Sequence, residues 1–328
     1  MTLIWHKLPI IKSELNLSQV LRCGQTFRWK NINHQWSLSI SDRIILLQQH
    51  ETHIEYSQIM KQNTVGTHEQ TLEFLNDYFA LHINLSDLYT SWKTSHVKYE
   101  KGVSPFDSFP GIRIIRQDPW ECLISFICSS NNNVKRISKM CDGLCQEFGQ
   151  YIDEYNDIKY YSFPDYKTLA QPNVESRLRE LGFGYRAKYI YQTALKFSDA
   201  TYPDITIENL YNLRHEKYQT AHDFLLQLTG VGPKVADCIC LMSLDKHDIV
   251  PIDTHVYQIA IRDFKYKGGK VKTLNKQTYR LISEYFKDIF GDYAGWAQSI
   301  LFAADLRDLN NGTNIIDNEP PRKRIKVE

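Results

Sequence analysis

Residues 224–260 read FLLQLTGVGPKVADCICLMSLDKHDIVPIDTHVYQIA. An apolar helix end (Phe224, Leu225, Leu228) runs into Thr229-Gly230-Val231-Gly232. Pro233 fits a first helical position, where a missing N–H costs nothing, and Lys234 follows in the first turn of that helix. Gly230 and Gly232 predict a turn too tight for side chains. The unpaired N–H groups of the turn and helix start form an anion site suited to phosphate. Further on, Asp253 reads as an N-cap, with Pro251 and Ile252 extended before it and Thr254–Arg262 helical after it. Two helices joined by this turn make a helix-hairpin-helix, expected over 221–243.

The lysine and the aspartate give this element chemistry. A lysine amine attacks only when neutral, and a free one is almost wholly charged at pH 7. Burial and the positive end of a helix dipole both lower its pKa, and Lys234 stands where both act. A carboxylate held at Asp253 stays ionised and can steady positive charge on a sugar. An amine that attacks C1′ together with such a carboxylate describes a bifunctional DNA glycosylase. Each residue has a plainer reading: Lys234 meets only phosphate, or Asp253 is only a cap.

Composition constrains the alternatives. The chain has 328 residues, 42% hydrophobic and 23% charged, as in an ordinary globular protein with room for two or three packed units. No apolar stretch has the length needed to cross a bilayer, and the N-terminal MTLIWHKLPIIKSELN has no secretory pattern. Seven cysteines (Cys23, Cys122, Cys128, Cys141, Cys145, Cys238, Cys240) form no secreted framework, so a reducing compartment is expected. Net charge, 39 − 38 = +1, does not advertise a nucleic-acid partner. Locally, Arg262, Lys265, Lys267, Lys270, Lys272, Lys276 and Arg280 stand against Asp263 alone, a basic run beside the hairpin suited to a DNA backbone.

The N-terminal part alternates as strands do. Trp36, Leu38 and Ile40 share a face, Ile44–Leu47 forms a second strand, and His53–Tyr56 a third. Leu72, Leu75, Tyr78 and Phe79 recur at helical spacing. From Asp118 onward the pattern is helical: Asp118 caps, Pro119 opens, and Trp120, Leu123, Ile124 and Ile127 form one stripe. SSNNN (129–133) interrupts it before Val134, Ile137, Met140, Cys141 and Leu144 resume. The fold class expected is α+β: an antiparallel β-rich domain (1–108), a mostly helical region (109–310) and a disordered basic tail (311–328). PPRKRIKVE in that tail has the form of a nuclear localisation signal.

The 224–260 segment resembles the helix-hairpin-helix–Gly/Pro–Asp motif of base-excision glycosylases. The whole chain resembles the eukaryotic 8-oxoguanine DNA glycosylase/AP lyase family, whose N-terminal domain is TBP-like. KSELNLSQVL (12–21), GQTFRW (24–29), FPGIRIIRQDPWECLISFICSSNNNVKRI (109–137), LGFGYRAKYI (181–190), VGPKVADCICLMSLDKHDIVPIDTHV (231–256) and GWAQSILFAADL (295–306) carry the resemblance. It implies that Lys234 attacks C1′, the base leaves, and a Schiff base with the opened sugar undergoes β-elimination of the 3′ phosphate. It gives Asp253 the essential carboxylate. Cys238 would pack on one face of the extruded base and Phe302 on the other, while Gln298 reads its Watson–Crick edge. The Gly24 carbonyl would accept N7–H, a proton of 8-oxoguanine that guanine lacks. Asn131 and Tyr185 would wedge the duplex, with Arg136 and Arg186 reading the orphan cytosine. Gly230, Val231, Gly232 and His255 would meet phosphate, although His255 also reads as structural or as a neighbour of the pocket.

The family pattern is not followed everywhere. Thr229 stands where proline is common, and Cys23 where serine is. No cysteine follows Cys240, so the iron–sulfur loop of endonuclease III and adenine-mismatch glycosylases is absent, and the histidines show no zinc spacing. No cofactor is expected beyond a structural cation at the hairpin carbonyls, and no catalytic metal. The expected partner is double-stranded DNA carrying an 8-oxoguanine:cytosine pair, met by a monomer that touches no membrane. The expected location is the nucleus, with the mitochondrion as an alternative. Two rivals remain. An alkyl-purine glycosylase of the same superfamily has no need of Lys234. A non-catalytic phosphate clamp has no need of Asp253, Gln298 and Gly24 together.

Overall fold

A computed structural model of the chain describes residues 3–93, 104–268 and 275–306. The tail 311–328, with its basic motif, and Lys270 and Lys272 lie outside them. Five strands form one antiparallel sheet: β1 (His6–Leu8), β2 (Lys30–Ile32), β3 (Gln35–Ser39), β4 (Arg43–Gln49) and β5 (Ile54–Met60), in the order β1-β5-β4-β3-β2. The three expected strands are β3, β4 and β5. The strands β1 and β2 are three residues each, too short to show alternation. Asn33 and His34, at φ 50° and 65°, make the two-residue turn from β2 to β3, whose backbone twist matches that of its strands.

Strand β4 is apolar without alternation because both its faces are covered. Ile45 and Leu47 pack with Trp29, Trp36, Tyr56, Leu75 and Phe79. Ile44 and Leu46 pack on the other side with Ile152 and Tyr160. Those last two belong to a second hairpin, β6 (Tyr151–Tyr155) and β7 (Ile158–Tyr161), a pair of strands not foreseen within the mostly helical region. Its turn residues Asn156 and Asp157 take φ 49° and 59°. The Ser37 and Tyr160 hydroxyls pair at 2.7 Å, and Ser39 donates to the Tyr161 carbonyl at 2.7 Å.

The helical region holds two cores. The first gathers around helix Pro119–Ser129, which Asp118 caps by accepting from Glu121 N at 2.8 Å. That helix is buried on nearly every side, not along one stripe alone: Cys122, Ser125, Phe126 and Cys128 are buried with Trp120, Leu123, Ile124 and Ile127. The second core joins helices Thr254–Arg262, Lys276–Phe290 and Ala294–Asp305 to residues from 80–114, among them Trp92, Phe106 and Ile112. Helix Pro233–Ser243 lies between them, giving Val235, Ile239 and Cys240 to the first core and Leu241 to the second. The sheet is locked to this region by the buried Arg28, which donates to Glu121 at 2.9 Å and to the Ser39 carbonyl. No helix among the described residues is long and apolar enough to cross a membrane.

Candidate active site

The hairpin consists of helix Tyr218–Leu226, a turn, and helix Pro233–Ser243, and so begins three residues before its expected start at 221. Its two glycines play different parts. Gly230 takes φ +84°, and a Cβ there would sit 2.6 Å from the Tyr189 ring. Gly232 takes an ordinary φ of −97° as the N-cap, and a Cβ there would meet nothing within 4 Å. The turn therefore requires glycine only at 230. At 232 the missing side chain leaves the start of an eleven-residue helix open, with no side chain capping it, so an anion can approach its N–H groups closely.

Lys234, Cys238 and Met242 follow at intervals of one turn on the second hairpin helix, and all three line one cavity of about 60 Å³. The same cavity is lined by Cys23, Gly24, Gln25, Phe126, Pro251, Asp253, Val256, Gln298, Ser299 and Phe302. Lysine, aspartate, glycine, cysteine, glutamine and phenylalanine singled out across the sequence from residue 24 to 302 thus share one space. Asp253 caps Thr254–Arg262 as expected: one carboxylate oxygen, Oδ1, accepts from His255 N at 2.9 Å and from Val256 N at 3.0 Å. Both capping bonds fall on that oxygen, and Oδ2 remains for the cavity.

Lys234 departs from expectation. Its pKa lies above, not below, the ordinary lysine value. Negative charge at Cys238 is the main cause, Asp253 adds to it, and a hydrogen bond to Cys238 contributes; burial opposes them. Burial in turn pushes the Cys238 thiol up to about 11. At pH 7 that thiol carries its proton, so the Cys238 charge counts only in alkaline solution. Near neutrality the contest is between burial of the partly buried Lys234 and attraction to Asp253.

Gly24 takes φ +86°, and a Cβ there would stand 3.6 Å from Val134 Cγ2 and 3.8 Å from Phe302 Cε1. Its neighbour Gln25 fixes this turn from inside. The buried Gln25 amide donates to the Arg113 carbonyl at 2.9 Å and accepts from Ile115 N at 3.0 Å, while Gln117 donates to the Gln25 carbonyl at 2.8 Å. These partners are about ninety residues away, which is why Gln25 escaped the sequence reading. Met242 did not need to escape it, since positions 234, 238 and 242 share one helix face. Gln298 is 5% exposed, and its amide bonds to none of the described side chains. His255 lies edge-on to Phe302 at 6.1 Å, with Nδ1 3.9 Å from Asp305.

Asn131, Arg136, Tyr185 and Arg186 form a separate cluster outside the cavity. Arg186 is buried, and its guanidinium donates to the Ser130 carbonyl from Nε at 3.1 Å and to the Asn131 carbonyl from Nη2 at 2.9 Å. Tyr185 donates to the same Ser130 carbonyl at 3.0 Å and lies 4.5 Å from the Arg186 cation. Arg136 donates to the Gly182 carbonyl at 3.2 Å. Asn131 is exposed at φ 47°, the left-handed conformation asparagine tolerates better than most residues.

All seven cysteines are free and buried. Among the described residues, one group of ligand atoms comes close enough to share a metal: His50, His53 and Glu55, within 4.8 Å of one another at the β4–β5 turn. Their spacing gave no sign of this in the sequence, and they are no part of the cavity. At the hairpin, Thr193 donates to the Thr229 carbonyl at 3.0 Å, and Lys196 to that of Gln227.

Fold and cavity together define a helix-hairpin-helix protein with a lysine and an aspartate lining one small recess. Two family models cover the chain: "8-oxoguanine DNA glycosylase, N-terminal domain" over residues 7–123 and "HhH-GPD superfamily base excision DNA repair protein" over residues 124–287. The N-glycosylase/DNA lyase of Saccharomyces cerevisiae is 38% identical, over 94% of this chain and 88% of that protein. N-glycosylase/DNA lyase OGG1 of Arabidopsis thaliana is 36% identical, over 92% and 80%. The structure of Clostridium acetobutylicum 8-oxoguanine glycosylase/lyase, in complex with double-stranded DNA containing cytosine opposite to 8-oxoG, superposes with a TM-score of 0.76 at 25% identity, over 95% and 98%. The chain belongs to the HhH-GPD superfamily of base excision DNA repair proteins, in its 8-oxoguanine DNA glycosylase branch.

Proposed function

We propose that this protein is a bifunctional DNA N-glycosylase and AP lyase that removes 8-oxoguanine, and formamidopyrimidine-guanine, from opposite cytosine in double-stranded DNA. The observation that carries this is the gathering of Gly24, Lys234, Cys238, Asp253, Gln298 and Phe302 around one cavity. Lys234 Nζ attacks C1′ of the damaged nucleotide as the C1′–N9 bond breaks, and the electron pair leaves with the base. Asp253 steadies the positive charge on the sugar. The amine then forms a Schiff base with the opened sugar, and β-elimination expels the 3′ phosphate.

Gln298 has an uncommitted donor and acceptor for the Watson–Crick edge of the base. The Gly24 carbonyl accepts N7–H. Cys238 and Phe302 take the two faces. At about 60 Å³ the cavity is far below the roughly 300–1,000 Å³ of a pocket that encloses a ligand, so its walls must open for a purine to enter. Base and sugar expel water from around Lys234, and the added burial favours the neutral amine that attack requires. Gly230, Val231 and the open N-terminus at Gly232 hold a phosphate, with His255 beside the pocket. Asn131, Tyr185, Arg136 and Arg186 fill the gap left by the extruded base and meet the orphan cytosine. No cofactor takes part, and a structural cation at the hairpin carbonyls would share them with Thr193 and Lys196. The protein works as a monomer, in the nucleus or the mitochondrion.

Borohydride reduction in the presence of an 8-oxoguanine:cytosine duplex tests this. The wild type forms a covalent adduct. Lys234→Gln folds, binds the duplex, and loses both base release and trapping. Adduct formation by that variant would remove Lys234 from the role.

A further inference from the structure

Asp237 is 1% exposed, three residues after Lys234 on the same hairpin helix. A buried carboxylate is costly unless donors surround it. Here two tyrosines from two other helices supply them. Tyr218, on the first hairpin helix, donates to Oδ1 at 2.8 Å. Tyr279, on helix Lys276–Phe290, donates to Oδ2 at 2.5 Å. His222 Nε2 stands 3.7 Å from Oδ1. Burial raises the Asp237 pKa, and the two hydroxyls oppose that rise.

The two tyrosines differ in one respect. The Tyr279 oxygen also accepts from Ile252 N at 3.2 Å. Ile252 is the residue before Asp253. One hydroxyl therefore ties the helix that carries Lys234 to the extended segment that delivers Asp253. Tyr218 ties Asp237 only back to the other half of the hairpin.

We infer that Asp237 and Tyr279 are positioning residues, joining the lysine helix to the Ile252–Asp253 segment so that nucleophile and carboxylate address the same sugar carbon. This rests on the roles proposed for Lys234 and Asp253. Those two side chains lie on different elements, and this cross-link joins the two directly through hydrogen bonds. Displacement of a reacting group by about 1 Å can slow a reaction on the order of a hundredfold.

The test compares two matched deletions in the full-length protein, scored by single-turnover base release from an 8-oxoguanine:cytosine duplex, by duplex affinity and by thermal stability. Tyr279→Phe removes the link while keeping the ring; its release rate should fall about tenfold or more with affinity unchanged. Tyr218→Phe removes a bond to the same carboxylate without touching the Asp253 segment; it should lose comparable stability and keep its rate to within about twofold. Asp237→Asn, whose amide oxygen can still accept from Tyr279, should fall between them. Equal slowing in the two tyrosine variants, or none in Tyr279→Phe, would make the network purely structural and overturn the inference. Failure of the wild type to release base or trap with borohydride is a different result, which overturns the glycosylase reading itself.

Discussion

In the cavity, Gln298 is buried with its amide uncommitted, Asp253 keeps one oxygen out of its cap, and Lys234 lines the same space. In the cluster at 130–136 and 182–186, the three side chains Arg186, Tyr185 and Arg136 are already engaged on protein carbonyls: Arg186 on Ser130 and Asn131, Tyr185 on Ser130, Arg136 on Gly182. The first region keeps hydrogen-bonding capacity in reserve for a ligand. The second must exchange bonds it already has for bonds to DNA. Substitutions in the cavity should therefore act on the chemical step with little change in stability. Substitutions in the cluster should act on loop geometry and base preference together.

Asp253→Asn should show the largest effect of the three that follow. The amide oxygen can still accept the His255 and Val256 N–H groups, so the cap survives. The charge does not. Base release should fall on the order of 10²–10³-fold, the scale of removing one preorganised electrostatic stabiliser. A pH profile sharpens the point. The attacking form is the neutral amine, so the rate rises with pH as Lys234 deprotonates. Asp253 holds the Lys234 pKa up, and its loss should move the rising limb to lower pH while the plateau drops. A parallel loss of melting temperature with an unmoved limb would reduce Asp253 to a cap.

Gly24→Ala should come next. The added methyl has room beside Val134 and Phe302, so the harm comes from φ +86°, a conformation that costs an alanine about 1–2 kcal/mol. Relief of that strain turns the carbonyl away from the base. Excision of 8-oxoguanine should fall about ten- to a hundredfold, the worth of one buried hydrogen bond, with only a small drop in melting temperature. Competition kinetics on wild type should agree: formamidopyrimidine-guanine, which keeps N7–H, is excised, and N7-methylguanine is poor. Comparable excision of N7-methylguanine would refute the carbonyl contact and favour an alkyl-purine enzyme.

The same contrast between regions explains what could be read from sequence. Gly230, Pro233 and Lys234 are contiguous, and Asp253 announces its own helix start, so their roles rest on local rules. Gly232 was misjudged because its φ is ordinary, and its value lies in the open space in front of it. The hairpin Tyr151–Tyr161 was hidden because Ile152 and Tyr160 are buried against strands β4 and β5, about a hundred residues earlier. The direction of the Lys234 shift was missed because it depends on the Cys238 thiol one turn further along the helix and on Asp253, which the fold brings to the same cavity. Gln25 and the Asp237–Tyr279 link are hydrogen bonds between distant elements, and no periodicity records them.

Arg186→Ala should give the smallest change in rate on the 8-oxoguanine:cytosine duplex and the most informative change in preference. Two consequences are superposed. Loss of the guanidinium removes its bonds to the Ser130 and Asn131 carbonyls, which loosens the loop that carries the wedge. It also removes donors available to the orphan cytosine. The first consequence lowers activity on every duplex by one factor. The second lowers it more for cytosine than for adenine opposite the lesion. Tyr185→Phe separates them, since it releases the Ser130 carbonyl from one donor while keeping the arginine. Arg186→Ala should therefore narrow the cytosine-to-adenine ratio several-fold, and Tyr185→Phe should lower both rates with the ratio kept. A uniform loss in Arg186→Ala, with a shallower dependence of binding on salt, would mark Arg186 as a phosphate contact. The cluster would then hold the duplex without reading it.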